Sequence, residues 1–293
     1  MRTLVIILAQ TRAHKLTYES FERHLLNPLK ADLCVCASVD KNYDYTNKFH
    51  TNAKYKFLLH EPEDGDFGPL FEHAYEILIK DIENPIYWRD YLRIKDQFMG
   101  GVKDPSNEHP GSAGILIFFR WFLQKSLIES NLLEHYDRFV ITRSDYIYTM
   151  DHAPLELLDE KCIWIPECAD WGGYTDRHVV LSKHNIFSYL NIFESLIDSR
   201  NNYYEKMKKY KKWNLERLIK FHLDNGPIVV KRFPYVMYAV REIGGSTRWS
   251  KGNFNEKLGY YIKYPDEFKI SHKYKDRFKK SGQEIETFYK KII

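Results

Sequence analysis

Thr3-Leu4-Val5-Ile6-Ile7-Leu8-Ala9 is apolar at every position after the threonine. A strand with one wet face alternates apolar and polar residues. An unbroken run belongs to a strand covered on both faces, as in a parallel sheet flanked by helices. A polar loop, Gln10-Thr11-Arg12-Ala13, follows it. Helical spacing then runs over residues 16–26 until Asn27-Pro28 stops it, and a second apolar run over residues 31–39 ends at Asp40. Strand, loop, helix and strand in that order predict an α/β fold with right-handed crossovers. The loop after the first strand is a ligand loop by position. Thr11 and Arg12 are therefore candidates for contacting a nucleotide base or phosphate, with an ordinary helix start as the alternative.

A second stretch has the same logic. Phe139-Val140-Ile141-Thr142 reads as a short buried strand that runs into Arg143-Ser144-Asp145. Open α/β sheets hold ligands outside the carboxyl ends of their strands. An aspartate there, two residues after an arginine, suits a divalent cation and a phosphate. The competing reading makes Asp145 a turn cap and Arg143 its surface partner.

Elsewhere the chain is read more briefly. Residues 113–130 are apolar nearly all round, as in a buried helix. Residues 56–60 make a short strand, and residues 228–233 and 236–241 an antiparallel pair around Pro234. Ser182 or Asn185 caps a helix with apolar positions Ile186, Tyr189, Phe193 and Ile197, and Asn214 caps another that stops at Asn225-Gly226-Pro227. Gly100-Gly101 and residues 104–111 form a long loop, a candidate lid. Trp171-Gly172-Gly173-Tyr174-Thr175-Asp176-Arg177-His178 holds two glycines that permit a tight turn or close approach to a ligand, then three ionisable side chains. Gly244-Gly245 leads to Arg248 and Trp249, a cation and an indole that either close over a ligand or are simply solvated.

Charge and cysteine content exclude several classes. Residues 251–293 hold 11 Lys/Arg against 6 Asp/Glu, which leaves the first 250 residues near neutral at 33 against 34. A nucleic-acid groove is not expected from such a body. The basic tail suits an anionic membrane face or is a solvated helical terminus. The expected organisation is one domain over residues 1–250 with a basic C-terminal extension over 251–293. Four cysteines without a CxxC pair argue against a structural zinc site and a disulfide framework, and fit a reducing compartment. The longest apolar run, residues 115–123, is about half a membrane span. A cytoplasmic protein, peripheral at most, is the expectation.

The N-terminal strand with its Thr-Arg loop, the central Tyr136-Asp137-Arg138-Phe139-Val140-Ile141-Thr142-Arg143-Ser144-Asp145 and the Trp-Gly-Gly-Tyr-Thr-Asp-Arg turn, in that order, resemble a group of glycosyltransferases. These occur in bacterial surface-polysaccharide loci, capsule and lipopolysaccharide among them, and in large DNA viruses. The resemblance implies a GT-A-like fold, with a Rossmann-type, mainly parallel sheet flanked by helices. It also implies transfer of a hexosyl-type sugar from a nucleotide-sugar donor to a glycan or lipid-linked acceptor, assisted by Mn2+ or Mg2+ on an Asp-x-Asp motif. Here that motif reads Arg143-Ser144-Asp145, so only Asp145 carries over as metal ligand, and Arg143 supplies positive charge to the diphosphate.

On this reading Asp176 is the candidate base for the acceptor hydroxyl. Arg177 or His178 serves as phosphate partner or orienter, and Glu216, in the first turn of its helix, is an alternative base. Gly172, Gly173, Arg177 and Arg248 join Thr11, Arg12, Arg143 and Asp145 as candidate donor contacts. A non-catalytic nucleotide-sugar or glycan binding module on the same fold is the alternative, and the missing first acid is its support.

Overall fold

The computed structural model describes residues 1–94, 99–103, 111–210, 212–245 and 250–293. Its centre is a seven-stranded sheet. Strand β1 (Thr3–Ala9) pairs in parallel with β2 (Asp32–Val39), and β2 with β3 (Tyr55–His60). The chain then returns to the other side of β1 with β4 (Arg138–Thr142), again parallel, Leu4 lying opposite Phe139. Beyond β4, the sheet leads away from that centre. The order is β3-β2-β1-β4-β7-β6-β8, where β6 is Ile163–Pro166, β7 Val179–Ser182 and β8 Val230–Phe233. Only β7 runs against the rest, pairing antiparallel with β4 and β6. The fold is therefore mixed α/β with a mostly parallel central sheet.

Both faces are covered, as the unbroken run of β1 requires. Leu4, Ile6 and Leu8 enter one core with Cys34 and Cys36, and Val5 and Ile7 enter the other with Leu33 and Val35. Helices α2 (Gly68–Leu78), α3 (Ala113–Glu129) and α4 (Leu215–Asp224) supply the first core. Helix α1 (His14–Phe21) and the C-terminal helix α5 (Pro265–Ser281) supply the second. Asn214 caps α4 as its spacing predicts, its side chain accepting from Arg217 N at 2.8 Å.

A four-stranded antiparallel sheet stands beside the first, in the order β10 (Asn253–Asn255), β11 (Tyr260–Ile262), β9 (Met237–Arg241), β5 (Tyr146–Tyr148). It corrects two expectations. Residues 228–233 and 236–241 are not a hairpin. β8 runs parallel to β6 in the large sheet, and β9 joins the small one. Pairing partners cannot be read from two apolar runs around a proline, and here Pro234 lies in the crossing between sheets. The helix over residues 186–197 is likewise two, Ile186–Leu190 and Ile192–Ile197, separated at Asn191.

The chain beyond residue 250 is built into the body. β11 pairs with β9, and Glu267 of α5 is 1% exposed and accepts from Ala239 N at 3.0 Å. No helix among the described residues is long and apolar enough to cross a membrane.

Candidate functional site

Strand order turns at β1 and β4, since the chain leaves β1 toward β2 and β3 and comes back on its opposite side. The loops at the carboxyl ends of these two strands diverge there and leave a crevice. Ser144 laces them together. Its Oγ accepts from Arg12 N at 2.8 Å and donates to Gln10 O at 3.1 Å, and its carbonyl accepts from Thr17 Oγ1 at 2.6 Å. The β1 loop is pinched at both ends by left-handed residues, Ala9 at φ 76° and Ala13 at φ 55°.

The crevice is a small cleft with about 160 Å³ of free space. It brings together Arg12, Arg143, Asp145, Asp176, Arg177 and Glu216, six of the residues singled out in the sequence, and adds Lys263 and Tyr264.

Asp145 is 1% exposed. Arg143 grips it with both arms of its guanidinium, Nε to Oδ1 and Nη2 to Oδ2, each at 2.8 Å. Arg241, delivered by the last position of β9, donates to Oδ2 as well. Burial alone would push this carboxyl up, but Arg143 first and Arg241 second hold it well below the usual carboxylate range. The donor set does not fit a divalent cation. Both oxygens already accept from guanidinium groups, and a metal ion there would face two fixed positive charges. Among the described residues, no group of three or more His, Cys, Asp or Glu is arranged to hold one. The aspartate at the strand tip is instead the strut on which two arginines are mounted.

Lys263, the first residue after β11, lines the cleft with Arg143. Burial, then the charges of Arg143 and Arg241, push its ammonium down to about 7. An anion placed here would reverse that repulsion.

The cleft carries further acids as well. Glu216 sits in the first turn of α4. Burial, reinforced by the charge of Asp176, pushes its carboxyl up to about 7. Asp176 lies beside it, with Arg177 Nε at 3.9 Å. The turn before them explains how Glu216 is placed. Tyr174 N donates to Glu216 O at 2.9 Å, and a Cβ on Gly173 would lie 1.9 Å from that same oxygen. Gly172 has φ +85°. The close approach permitted by Gly172 and Gly173 is thus to a helix, not to a ligand, and neither glycine lines the cleft.

Two other candidates, Arg177 and His178, are held by partners of their own. Arg177 lines the cleft, but its guanidinium is held by Glu267 at 2.6 Å and lies against the neighbouring rings of Trp171 and Tyr264, 4.4 and 4.6 Å from their centres. His178 is fully buried behind β4. Its Nε2 lies 3.1 Å from Nε2 of His152, and burial pushes both imidazoles down, His152 to about 4, so the pair is neutral, and neither ring lines the cleft. Thr11 lines a neighbouring hollow with Asp40, Asn42, Tyr43 and Asn47, which Gln10 and Arg12 join to the cleft. Arg248, with Trp249 and residues 104–110 of the candidate lid, lies outside the described residues.

Lys263 and Glu267 carry no sequence signal beyond their place in a basic segment. Tyr260-Tyr261-Ile262, a β-forming triplet just before Lys263, was the available hint.

No protein-family model matches the chain, and no curated protein does. Among solved structures it is similar to the apo form of mouse xyloside xylosyltransferase 1, at 8% identity and a TM-score of 0.40, over 80% of this chain and 84% of that one. A likeness this distant bears on neither the fold nor the chemistry described above.

Proposed function

We propose that this chain is a glycosyltransferase of GT-A-like architecture, moving a hexosyl-type sugar from a nucleoside-diphosphate-sugar donor to a hydroxyl of a glycan or lipid-linked acceptor. The observation that carries the proposal is one cleft lined by both Arg143 and Lys263 and by Glu216, with Arg241 paired to the same buried carboxylate as Arg143 and the Glu216 carboxyl pushed up to about 7 by burial and Asp176.

The hollow beside Thr11 and Asp40 takes the nucleoside, the cationic side chains the diphosphate, and the space before Asp176 and Glu216 the sugar. Glu216 accepts the proton of the acceptor hydroxyl as its oxygen bonds to the anomeric carbon. The bond from that carbon to the phosphate oxygen breaks, and its electron pair leaves with the nucleoside diphosphate. Charge grows on the departing oxygen only as this bond breaks, so fixed cations there stabilise the transition state more than the ground state. A base with a pKa near the working pH is efficient in both directions of proton transfer, which favours Glu216 over Asp176 for the role. No step needs a divalent cation.

The test is a panel of nucleotide sugars with and without Mn2+, read as thermal shift and donor hydrolysis. Stabilisation and slow hydrolysis with at least one donor are expected, unaffected by chelator. No response to any donor overturns the reading. Saturable donor binding without hydrolysis or transfer supports instead a binding module, a reading that the locked Asp145 also favours.

A further inference from the structure

Two hollows continue the cleft outward past Glu216. The first shares Asp176, Glu216 and Tyr264 with it and adds Trp171 and Trp213. The second shares Trp213 with the first and follows the flank of α4 past Lys206, Lys209, Tyr210 and Lys212. Trp213 thus borders both hollows, and the second lies along the helix whose first turn carries the proposed base.

This second hollow, a groove along α4, is strongly one-sided in charge. Among its described lining residues, five cationic side chains meet one carboxylate, Asp224, which Lys220 already holds at 2.6 Å. Lys206, Lys209, Lys212 and Arg217 remain without a compensating acid in the groove, and like charges crowded on one wall repel unless an anion lies among them. Glu205, the nearest acid in sequence, is turned to Lys208 outside the groove at 3.0 Å.

Rings alternate with these cations. Tyr210 is 57% exposed and meets Trp213 edge to face at 5.7 Å, and Trp171, 42% exposed, lines the inner hollow. An aromatic face offers a platform for the C–H face of a sugar ring, and an adjacent ammonium suits a carboxylate or phosphate substituent. The inner hollow reaches Glu216, so a bound glycan whose end lies there presents a terminal hydroxyl to it.

We propose that this groove and the inner hollow are the acceptor site and that they take an acidic oligosaccharide, with the anionic groups on Lys206, Lys209, Lys212 and Arg217 and the terminal hydroxyl at Glu216. The placement of that hydroxyl rests on the glycosyltransferase reading, whereas the affinity for an acidic glycan does not. The cations select against neutral glycans, and the aromatic rings set the register of the sugar units.

The full chain is titrated, with tryptophan fluorescence as readout, against tetragalacturonate, maltotetraose, phosphatidylglycerol vesicles and a short oligouridylate. Saturable binding of tetragalacturonate is expected, weakening with salt because the contacts lie at the surface. Maltotetraose should bind roughly tenfold more weakly or worse, and the K209E/K212E double variant should lose roughly tenfold in tetragalacturonate affinity while melting as the parent does. Equal affinity for the neutral glycan, tighter binding to vesicles or oligouridylate, or an unchanged affinity after charge reversal would each overturn the proposal. Nucleoside-diphosphate binding, measured separately on the unaltered chain by thermal shift, distinguishes the two readings. Acidic-glycan binding without it keeps the groove and removes the donor site, and the reverse result removes the groove alone.

Discussion

Asp145→Asn separates a strut from a metal ligand. In the structure the carboxylate is 1% exposed and accepts from Arg143 twice and from Arg241 once. Asparagine keeps the size but loses the charge, and turns an amide N–H₂ toward guanidinium groups that have no electrons to offer it. Removing one partner of a buried ion pair, and so leaving the other charge uncompensated, costs about 3–5 kcal/mol. For a chain of this length, each kcal/mol moves the melting temperature by about 2 °C, so the variant should melt roughly 6–10 °C lower. The assay is a thermal melt in chelator-treated buffer, where a ligand waiting for its metal contributes nothing favourable. A variant that melts with the unaltered chain there, while Mn2+ raises the melting temperature of the unaltered chain only, would refute the strut and restore the metal site.

Glu216→Gln tests the raised carboxyl. A folded pKa of about 7 against roughly 4.3 unfolded means the folded state holds a proton the unfolded chain has lost, so stability falls as pH rises between those values. The variant should therefore melt with the unaltered chain below about pH 4 and above it beyond pH 7, by roughly 3–4 kcal/mol at most, and lose about 10²–10⁴ in transfer rate. Lys263→Met should cost roughly tenfold to a hundredfold in nucleoside-diphosphate affinity by calorimetry, the scale of a lost charge-assisted contact. Because burial and neighbouring cations lower the folded pKa of this lysine to about 7, its protonation costs stability fully below that pH, and the cost fades toward the unfolded value near 10.4. The Met variant should thus be the more stable chain at pH 6 and lose that advantage in strong base. Gly173→Ala drives a methyl into Glu216 O, so a loss of about 1–3 kcal/mol in urea melts is expected, with an altered pH profile of Glu216.

The sequence carries more of the cleft at the strand tips than of the basic hollow along α4. The unbroken run of β1 requires cover on both faces, and the strand-loop-helix-strand order requires parallel neighbours, so the loops at Arg12 and Asp145 had to emerge on one edge of the sheet. Asp176 and Glu216 were legible as acids beside a glycine turn and in a helix's first turn. That the turn docks on that very helix was not, because glycines advertise close approach without naming what approaches. The partners of Asp145 were only half legible for a related reason. Arg143 is its neighbour in sequence, but Arg241 lies 96 residues away and reaches it only because β9 pairs with β5.

Local pattern, then, was enough for the α/β class, the strand tips and the acids that gather there, since apolar periodicity and chain direction act over a few residues at a time. Only the tertiary structure decided what each charge is worth. Whether a carboxylate awaits a cation or already holds two, and whether a lysine in a basic tail faces water or a buried cleft, depends on burial and on partners brought together across the whole chain.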